Sequence, residues 1–239
     1  MSKKFEQQLA ELGITLTQTQ FNQFDKYYEM LVEWNKVMNL TGITEYEEVN
    51  EKHFLDSLAL VKAFDPEKAT RLIDVGTGAG FPGIPLKIVF PELEVVLLDS
   101  LNKRVKFLQE VISTLGLTKI EVIHGRAEDY AKNVDYREKF DLCVSRAVAN
   151  LSTLSEYCLP YVRVNGFFIS YKSGEIEEEL KESEYAIQTL GGELEDVVKF
   201  QLPETEIHRS FVKIRKKRNT AKKYPRKAGL PSKEPIKRG

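Results

Sequence analysis

Two cysteines in 239 residues, Cys143 and Cys158, are too few for a disulfide framework, and neither stands in a C-x-x-C pair. The three histidines, at positions 53, 124 and 208, are too scattered for a zinc site, so no metal is expected. No apolar run approaches the roughly 20 residues that a bilayer-spanning helix needs. The opening MSKKFEQQLAELG is charged and amphipathic, unlike a signal peptide, and a cytoplasmic protein with no membrane partner is expected. Net charge is also nearly missing, at −1, but it is unevenly spread. From Lys213 to Gly239 twelve Lys or Arg face one acid, Glu234, so this surplus of 11 leaves −12 on residues 1–212. A basic tail on an acidic body is either a solubilising, disordered extension or a surface for a polyanion, and Tyr224 within it offers a single ring for base stacking. No internal repeat is present, and nothing indicates an oligomer.

What is present is a full α/β pattern behind a helical extension. Residues 3–12 predict a short amphipathic helix closed by Gly13. Thr17 and Gln20 form a capping box that opens a helix to Asn39, with Phe21, Phe24, Tyr28, Leu31 and Met38 at helical spacing. A second box, Thr44 with Glu47, predicts a helix through Phe64, ended by Asp65-Pro66. From Arg71 strands are expected at 71–75, 94–98, 119–123, 140–144 and 166–171, alternating with helices at 82–90, 102–115, 151–160 and 175–190. Segments 193–201 and 207–215, joined by a turn at Pro203, then close the domain as a hairpin. The expected fold is α/β and Rossmann-like, a seven-stranded, mostly parallel sheet with a terminal antiparallel hairpin. A dinucleotide-binding domain would normally end in another βα unit instead.

In open parallel sheets ligands sit at the carboxyl ends of the strands, so the residues after each strand carry the chemistry. After the first comes Asp74-Val75-Gly76-Thr77-Gly78-Ala79-Gly80-Phe81-Pro82-Gly83, a glycine-rich turn opening a helix. A literal G-x-G-x-x-G exists at Gly78, Gly80 and Gly83, which alone would permit NAD. The D-x-G-x-G-x-G form is more typical of S-adenosylmethionine enzymes, where a carboxylate such as Asp74 can attract the donor's ammonium. Asp99 follows the second strand, placed to accept hydrogen bonds from both ribose hydroxyls; a helix cap is its bland alternative. After the third strand the Ala127 N–H and the Glu128 side chain can meet an adenine edge. Arg146 and Lys172, at the exits of the fourth and fifth strands, bring two cations to one rim.

The acceptor follows by elimination. Ser145-Arg146-Ala147-Val148 stands where exocyclic amine chemistry requires [DN]-P-P-[YFW], and no thiolate for pyrimidine C5 chemistry lies in that loop. No general base for a hydroxyl follows the fourth strand. What remains is a group nucleophilic when neutral, such as guanine N7, with catalysis by proximity and in-line alignment. Arg146 and Lys172 would hold phosphate or the guanine O6 edge.

Up to about Arg215 the chain resembles the glucose-inhibited division protein B family, bacterial methyltransferases of guanine N7 in 16S ribosomal RNA, and in particular a Bacillus-type member. The motifs are Trp34-Asn35-Lys36-Val37-Met38-Asn39-Leu40-Thr41, His53-Phe54-Leu55-Asp56-Ser57, the turn from Asp74 to Pro85, Leu98-Asp99-Ser100 with Lys103-Arg104, and Ser145-Arg146-Ala147. The resemblance implies a class I S-adenosylmethionine-dependent methyltransferase. Its cofactor pocket would be lined by Gly76, Phe81, Ala127, Glu128 and Arg146, with Asp74, Thr77, Gly78, Gly80 and Asp99 from the motif reading. By resemblance, Arg126, Arg146, Lys172 and Arg209 serve catalysis or RNA contact, and 16S ribosomal RNA or the small ribosomal subunit is the partner. The expected organisation is a helical extension (1–64), a donor-binding domain (65–216) and a basic tail (217–239). A small-molecule methyltransferase and a non-catalytic cofactor- and RNA-binding module stay open as alternatives. His53, Asp56 and Ser57 share a helix face and read as a contact between helix and domain, bordering the pocket by resemblance.

Overall fold

The computed structural model describes residues 2–146 and 149–238; Ala147 and Val148 of the strand-four motif lie outside them. Helix α1 (Lys3–Glu11) starts where the Ser2 hydroxyl accepts from the Phe5 N–H, and Gly13 follows it with φ +72. Helix α2 (Gln18–Met38) opens on the expected capping box, with the Thr17 and Gln20 side chains each accepting from the other's backbone N–H. Its buried stripe is Phe24, Tyr27, Met30 and Leu31.

The second expected capping box does not form. Helix α3 (Tyr46–Val49) is preceded by Glu45, which offers no side-chain cap. Thr44 instead gives its carbonyl to the Tyr28 hydroxyl at 3.0 Å, and Glu47 receives the Ser2 hydroxyl at 3.2 Å. Of the groups that a local cap would use, the Glu47 carboxylate is thus taken by a partner 45 residues away. The rod continues through a π-helical stretch (Asn50–Leu55), α4 (Asp56–Leu58) and a 3-10 turn (Ala59–Lys62), ending two residues before the expected Phe64.

Seven strands form one sheet: β1 (Arg71–Val75), β2 (Glu94–Asp99), β3 (Ile120–His124), β4 (Phe140–Arg146), β5 (Val162–Ser173), β6 (Gly192–Gln201) and β7 (His208–Lys216). Their order is β3-β2-β1-β4-β5-β7-β6, with β1 to β5 parallel and β7 antiparallel to both β5 and β6. The chain reverses direction across the sheet between β1 and β4, a switch point where the loops diverge and leave a crevice. Helices α5 (Gly83–Val89), α6 (Asn102–Thr114), α8 (Leu151–Cys158) and α9 (Glu177–Thr189) cover the faces, close to the expected ranges. A single turn, α7 (Ala127–Tyr130), was not legible as a helix because it spans only four residues.

Each strand serves two cores, because successive side chains point to opposite faces. Leu72, Leu97, Leu142 and Ile169 face one way, where they join Phe5, Phe24, Tyr27, Phe54 and Phe81. Ile73, Leu98, Cys143 and Phe168 face the other way, toward Leu154, Cys158 and Ile187. The helical extension therefore shares its core with the sheet. Both cysteines are buried and free, as apolar fillers.

The basic C-terminal segment is docked rather than free. Arg137 donates to the carbonyls of Thr220 (2.7 Å) and Tyr224 (3.0 Å), and Arg226 pairs in bidentate fashion with the buried Glu156 at 3.0 and 2.7 Å. Helix α10 (Leu230–Lys233) then lies against α8. Among the described residues no helix is long and apolar enough to cross a membrane.

Phe54 tests the shared core, since its buried ring meets Phe5, Phe24, Tyr27 and Phe81 with centroids 5.0 to 6.4 Å apart. Phe54→Ala should cost about 3–5 kcal/mol, the usual range for emptying such a site. Urea unfolding should still show a single transition; separate transitions for the helices and the sheet would contradict a common core.

Candidate active site at the carboxyl ends of the strands

A cleft of about 600 Å³ opens beyond β1, β2 and β3, within the roughly 300–1,000 Å³ usual for ligand sites. Its floor is the glycine turn, and its geometry starts at Asp74. The Asp74 carboxylate is fully buried, and its Oδ2 accepts from the Thr77 hydroxyl (2.7 Å) and the Gly83 N–H (2.9 Å), closing the turn on itself. Burial pushes this carboxyl up to about 7 against the pull of those two hydrogen bonds. Oδ1 has no partner among the described residues.

Gly80 is equally tied up. At φ +100, a Cβ there would lie 2.6 Å from both the Tyr27 hydroxyl and Ile84 Cδ1, so only glycine lets α2 approach the turn. The Tyr27 hydroxyl uses that approach to donate to the Ala79 carbonyl. Asp74 and Gly80 therefore lie beneath the turn instead of in the cleft wall, because their groups are spent on holding it.

The other expected donor-site residues do line the cleft: Gly76, Thr77, Gly78, Phe81, Asp99, Ala127, Glu128 and Arg146. Asp99, 3% exposed, lines the cleft and takes up local partners. Oδ1 accepts from the Leu101 N–H (2.9 Å) just before α6, and Oδ2 accepts from the Gly78 N–H (2.9 Å). Arg104 stands 3.4 Å away. A carboxylate has about four acceptor sites, so lone pairs remain for a ligand's hydroxyls. Glu128 Oε1 accepts from the Gly229 N–H at 2.7 Å, a partner absent from every local pattern. Arg126 is exposed on this cleft, which it shares with Arg146, while Lys172 and Arg209 lie outside it.

A second cleft, of about 490 Å³, adjoins the first and gathers Arg146, Lys172 and Arg209 with Asp56 and Tyr171. His53 and Arg146 line both clefts. Asp56, 3% exposed, is clasped by Arg146 at 2.9 Å and Arg209 at 2.8 Å. Arg146 also donates to the Lys52 carbonyl (3.1 Å) and lies over the Phe81 ring, 5.1 Å from its centroid. The His53 ring stacks on Phe81 at 4.6 Å, and its Nε2 is 2.8 Å from the Thr41 hydroxyl. Burial and the neighbouring Arg146 push its pKa down to about 4, so the ring is neutral at physiological pH. Lys172 bonds Glu179 (2.6 Å) and the Ala149 carbonyl (2.9 Å). His124 and His208 are exposed, away from both clefts.

Several lining residues escaped the motif reading. Thr41, Arg104 and His53 stand inside the motifs quoted for the resemblance, which was the available signal. Tyr157 and Tyr171 lie within a helix and a strand and carry no local mark.

Three comparisons bear on this site. The family model GidB, rRNA small subunit methyltransferase G, matches residues 20–208. A protein of Lachnoclostridium phytofermentans named ribosomal RNA small subunit methyltransferase G is 56% identical over 97% of this chain and 96% of its own length. The protein of the same name from Clostridium tetani is 51% identical over 95% of each. Among solved structures, M. jannaschii TYW2 in complex with AdoMet covers 65% of this chain and 72% of its own, with TM-score 0.50 and 15% identity, a likeness of fold alone.

Neutral His53 gives a direct check. Its ring resonances should stay nearly unchanged from pH 7 down to about 5 in NMR titration and move only around pH 4. Arg146→Ala should shift that midpoint upward, since a depressing positive charge is removed. Titration of the wild-type ring near 6.5, the ordinary histidine value, would contradict the buried arrangement.

Proposed function

The chain belongs to the GidB family, the rRNA small subunit methyltransferases G, and we propose that it methylates N7 of a guanine in 16S ribosomal RNA. It is an S-adenosylmethionine-dependent methyltransferase. The observation that carries the reading is the pair of adjoining clefts with His53 and Arg146 in both walls, which lets two ligands meet edge to edge. The larger cleft takes the donor and the smaller takes the base.

The donor fits the residues present. Gly78 has φ +62, and nothing lies within 4 Å of where its Cβ would be, so the turn leaves open space on the ligand side. Gly76, Thr77, Gly78 and Phe81 form the floor, supported from below by Asp74 and Gly80. Asp99 accepts ribose hydroxyls, while the Ala127 N–H and Glu128 meet the adenine edge. When bound, the donor supplies a methyl group on a sulfonium sulfur.

The protein's remaining task is alignment. N7 carries an in-plane lone pair and needs no deprotonation, which agrees with a His53 whose pKa is held at about 4, a weak base, and with the carboxylates of the second cleft being paired: Asp56 is clasped by two arginines and Glu179 by Lys172. With the donor bound, the walls of the two clefts would hold N7 in line with the methyl carbon, and transfer would yield methylated guanine and S-adenosylhomocysteine. Holding the two reactants in that geometry can supply about 7–11 kcal/mol of the barrier reduction. Arg146, with Phe81 beneath its guanidinium, stands at the meeting point; Lys172 and Arg209 hold phosphate or the O6 edge, and Arg126 contacts RNA at the rim of the donor cleft.

Purified protein, labelled donor and either naked 16S ribosomal RNA or small subunits lacking the modification should yield a methylated guanine, mapped by mass spectrometry. Donor binding without methyl incorporation in either substrate would sink the reading. Gly78→Asp should lower S-adenosylhomocysteine affinity at least a hundredfold by calorimetry, because a carboxylate would enter the cleft beside Asp99. Unchanged affinity would remove the donor from this cleft.

A further inference from the structure

Glu128 is expected to face the donor's adenosine, yet one of its oxygens is already held by a residue 101 positions away, Gly229, at 2.7 Å. Residues 217–238 form a strap that runs from the end of β7 back over α7 and α8. Its start is pinned by the Thr220 N–H donating to Glu138 (2.7 Å) and the Thr220 hydroxyl donating to the Leu190 carbonyl (2.6 Å). Its middle is pinned by Arg226, whose guanidinium and N–H both bond Glu156, a carboxylate with no exposure. Its end receives the Thr153 hydroxyl at the Pro231 carbonyl (3.1 Å) and the Ser152 hydroxyl at the Ile236 carbonyl (2.9 Å).

Ser152, Thr153 and Glu156 are all buried polar groups on one side of α8, and each is satisfied by the strap. Buried polar groups require partners, so α8 is built to be covered by this segment. The neighbouring Tyr157 lines the donor cleft together with Glu128. The strap thus backs the cleft wall at the end where α7 begins.

We propose that the C-terminal strap is a working part of the donor site: Gly229 is a positioning residue whose N–H fixes Glu128 so that its second oxygen meets the adenosine. Among the described residues that second oxygen, Oε2, accepts no hydrogen bond, while an ionised carboxylate remains a pure acceptor suited to an exocyclic amine or a hydroxyl. Gly229 sits at φ +84 with nothing within 4 Å of a Cβ, so a Cβ there meets no steric block and a β-branched residue strains the backbone that aims the N–H. The inference rests on the larger cleft being the donor site.

Calorimetry of S-adenosylhomocysteine with the full-length protein tests it. Gly229→Val should weaken binding about tenfold, and Arg226→Lys, which keeps the charge but loses the bidentate pairing, about threefold. In a Glu128→Ala background both should change affinity less than twofold, since the strap would have nothing left to position. In turnover, KM for the donor should rise with kcat and KM for rRNA unchanged. Equal losses with and without Glu128, wild-type affinity in both strap variants, or a rise in KM for rRNA in place of that for the donor would overturn the proposal. If Gly229→Val folds poorly, Arg226→Lys carries the same comparison. Failure of the wild-type protein to bind S-adenosylhomocysteine would instead refute the donor-site reading itself.

Discussion

The buried carboxylate of Asp74 holds the glycine turn in shape, and the floor of the larger cleft depends on that turn. By accepting from Thr77 and the Gly83 N–H, it brings the start of α5 back against the end of β1. Gly83 makes that closure possible, because a Cβ there would stand 2.3 Å from Leu97 Cδ2 on the next strand. Once closed, the turn presents the Gly78 N–H to Asp99 and so links the exits of β1 and β2. The cost of burying this carboxyl is visible in its raised pKa.

A second constraint joins the helical extension to the catalytic face. Asp56 and His53 arrive from the rod that follows α3, Arg146 from β4 and Arg209 from β7, and they meet in one network. Asp56 neutralises two arginines that would otherwise repel each other, and it fixes both at the boundary between the clefts. Tyr27, Phe54 and Phe81 stack behind them, so the aromatic core of the extension also sets the height of the boundary. The extension is therefore a structural wall of the site as well as a covering for the sheet.

Much of this was legible from residue order. The capping box at Thr17, the alternation of apolar strands with amphipathic helices and the closing hairpin all reflect local propensities that tertiary contacts reinforce. The second capping box shows the limit: Thr44 and Glu47 have the right types at the right spacing, yet no cap forms and the Glu47 carboxylate receives the distant Ser2 hydroxyl instead. The basic tail shows another. Charge alone left a free extension and a polyanion surface side by side, and it did not reveal that Arg226 would answer a buried Glu156 on α8.

By itself the sequence determined the α/β class, the glycine turn, the aspartates at the ends of β1 and β2 and the basic residues at the ends of β4 and β5, because each is encoded in a short stretch whose chemistry is local. Only the tertiary structure decided which of these groups line the cleft. Asp74 turned inward to hold the turn and Gly80 yielded its space to Tyr27, while Asp99 and Glu128 stayed on the cleft. The partners that fixed those outcomes lie far along the chain: Asp56 is 90 residues from Arg146 and 153 from Arg209, and Glu128 is 101 from Gly229. Such pairings are set by how the sheet and its coverings pack, and no spacing rule along the chain records them.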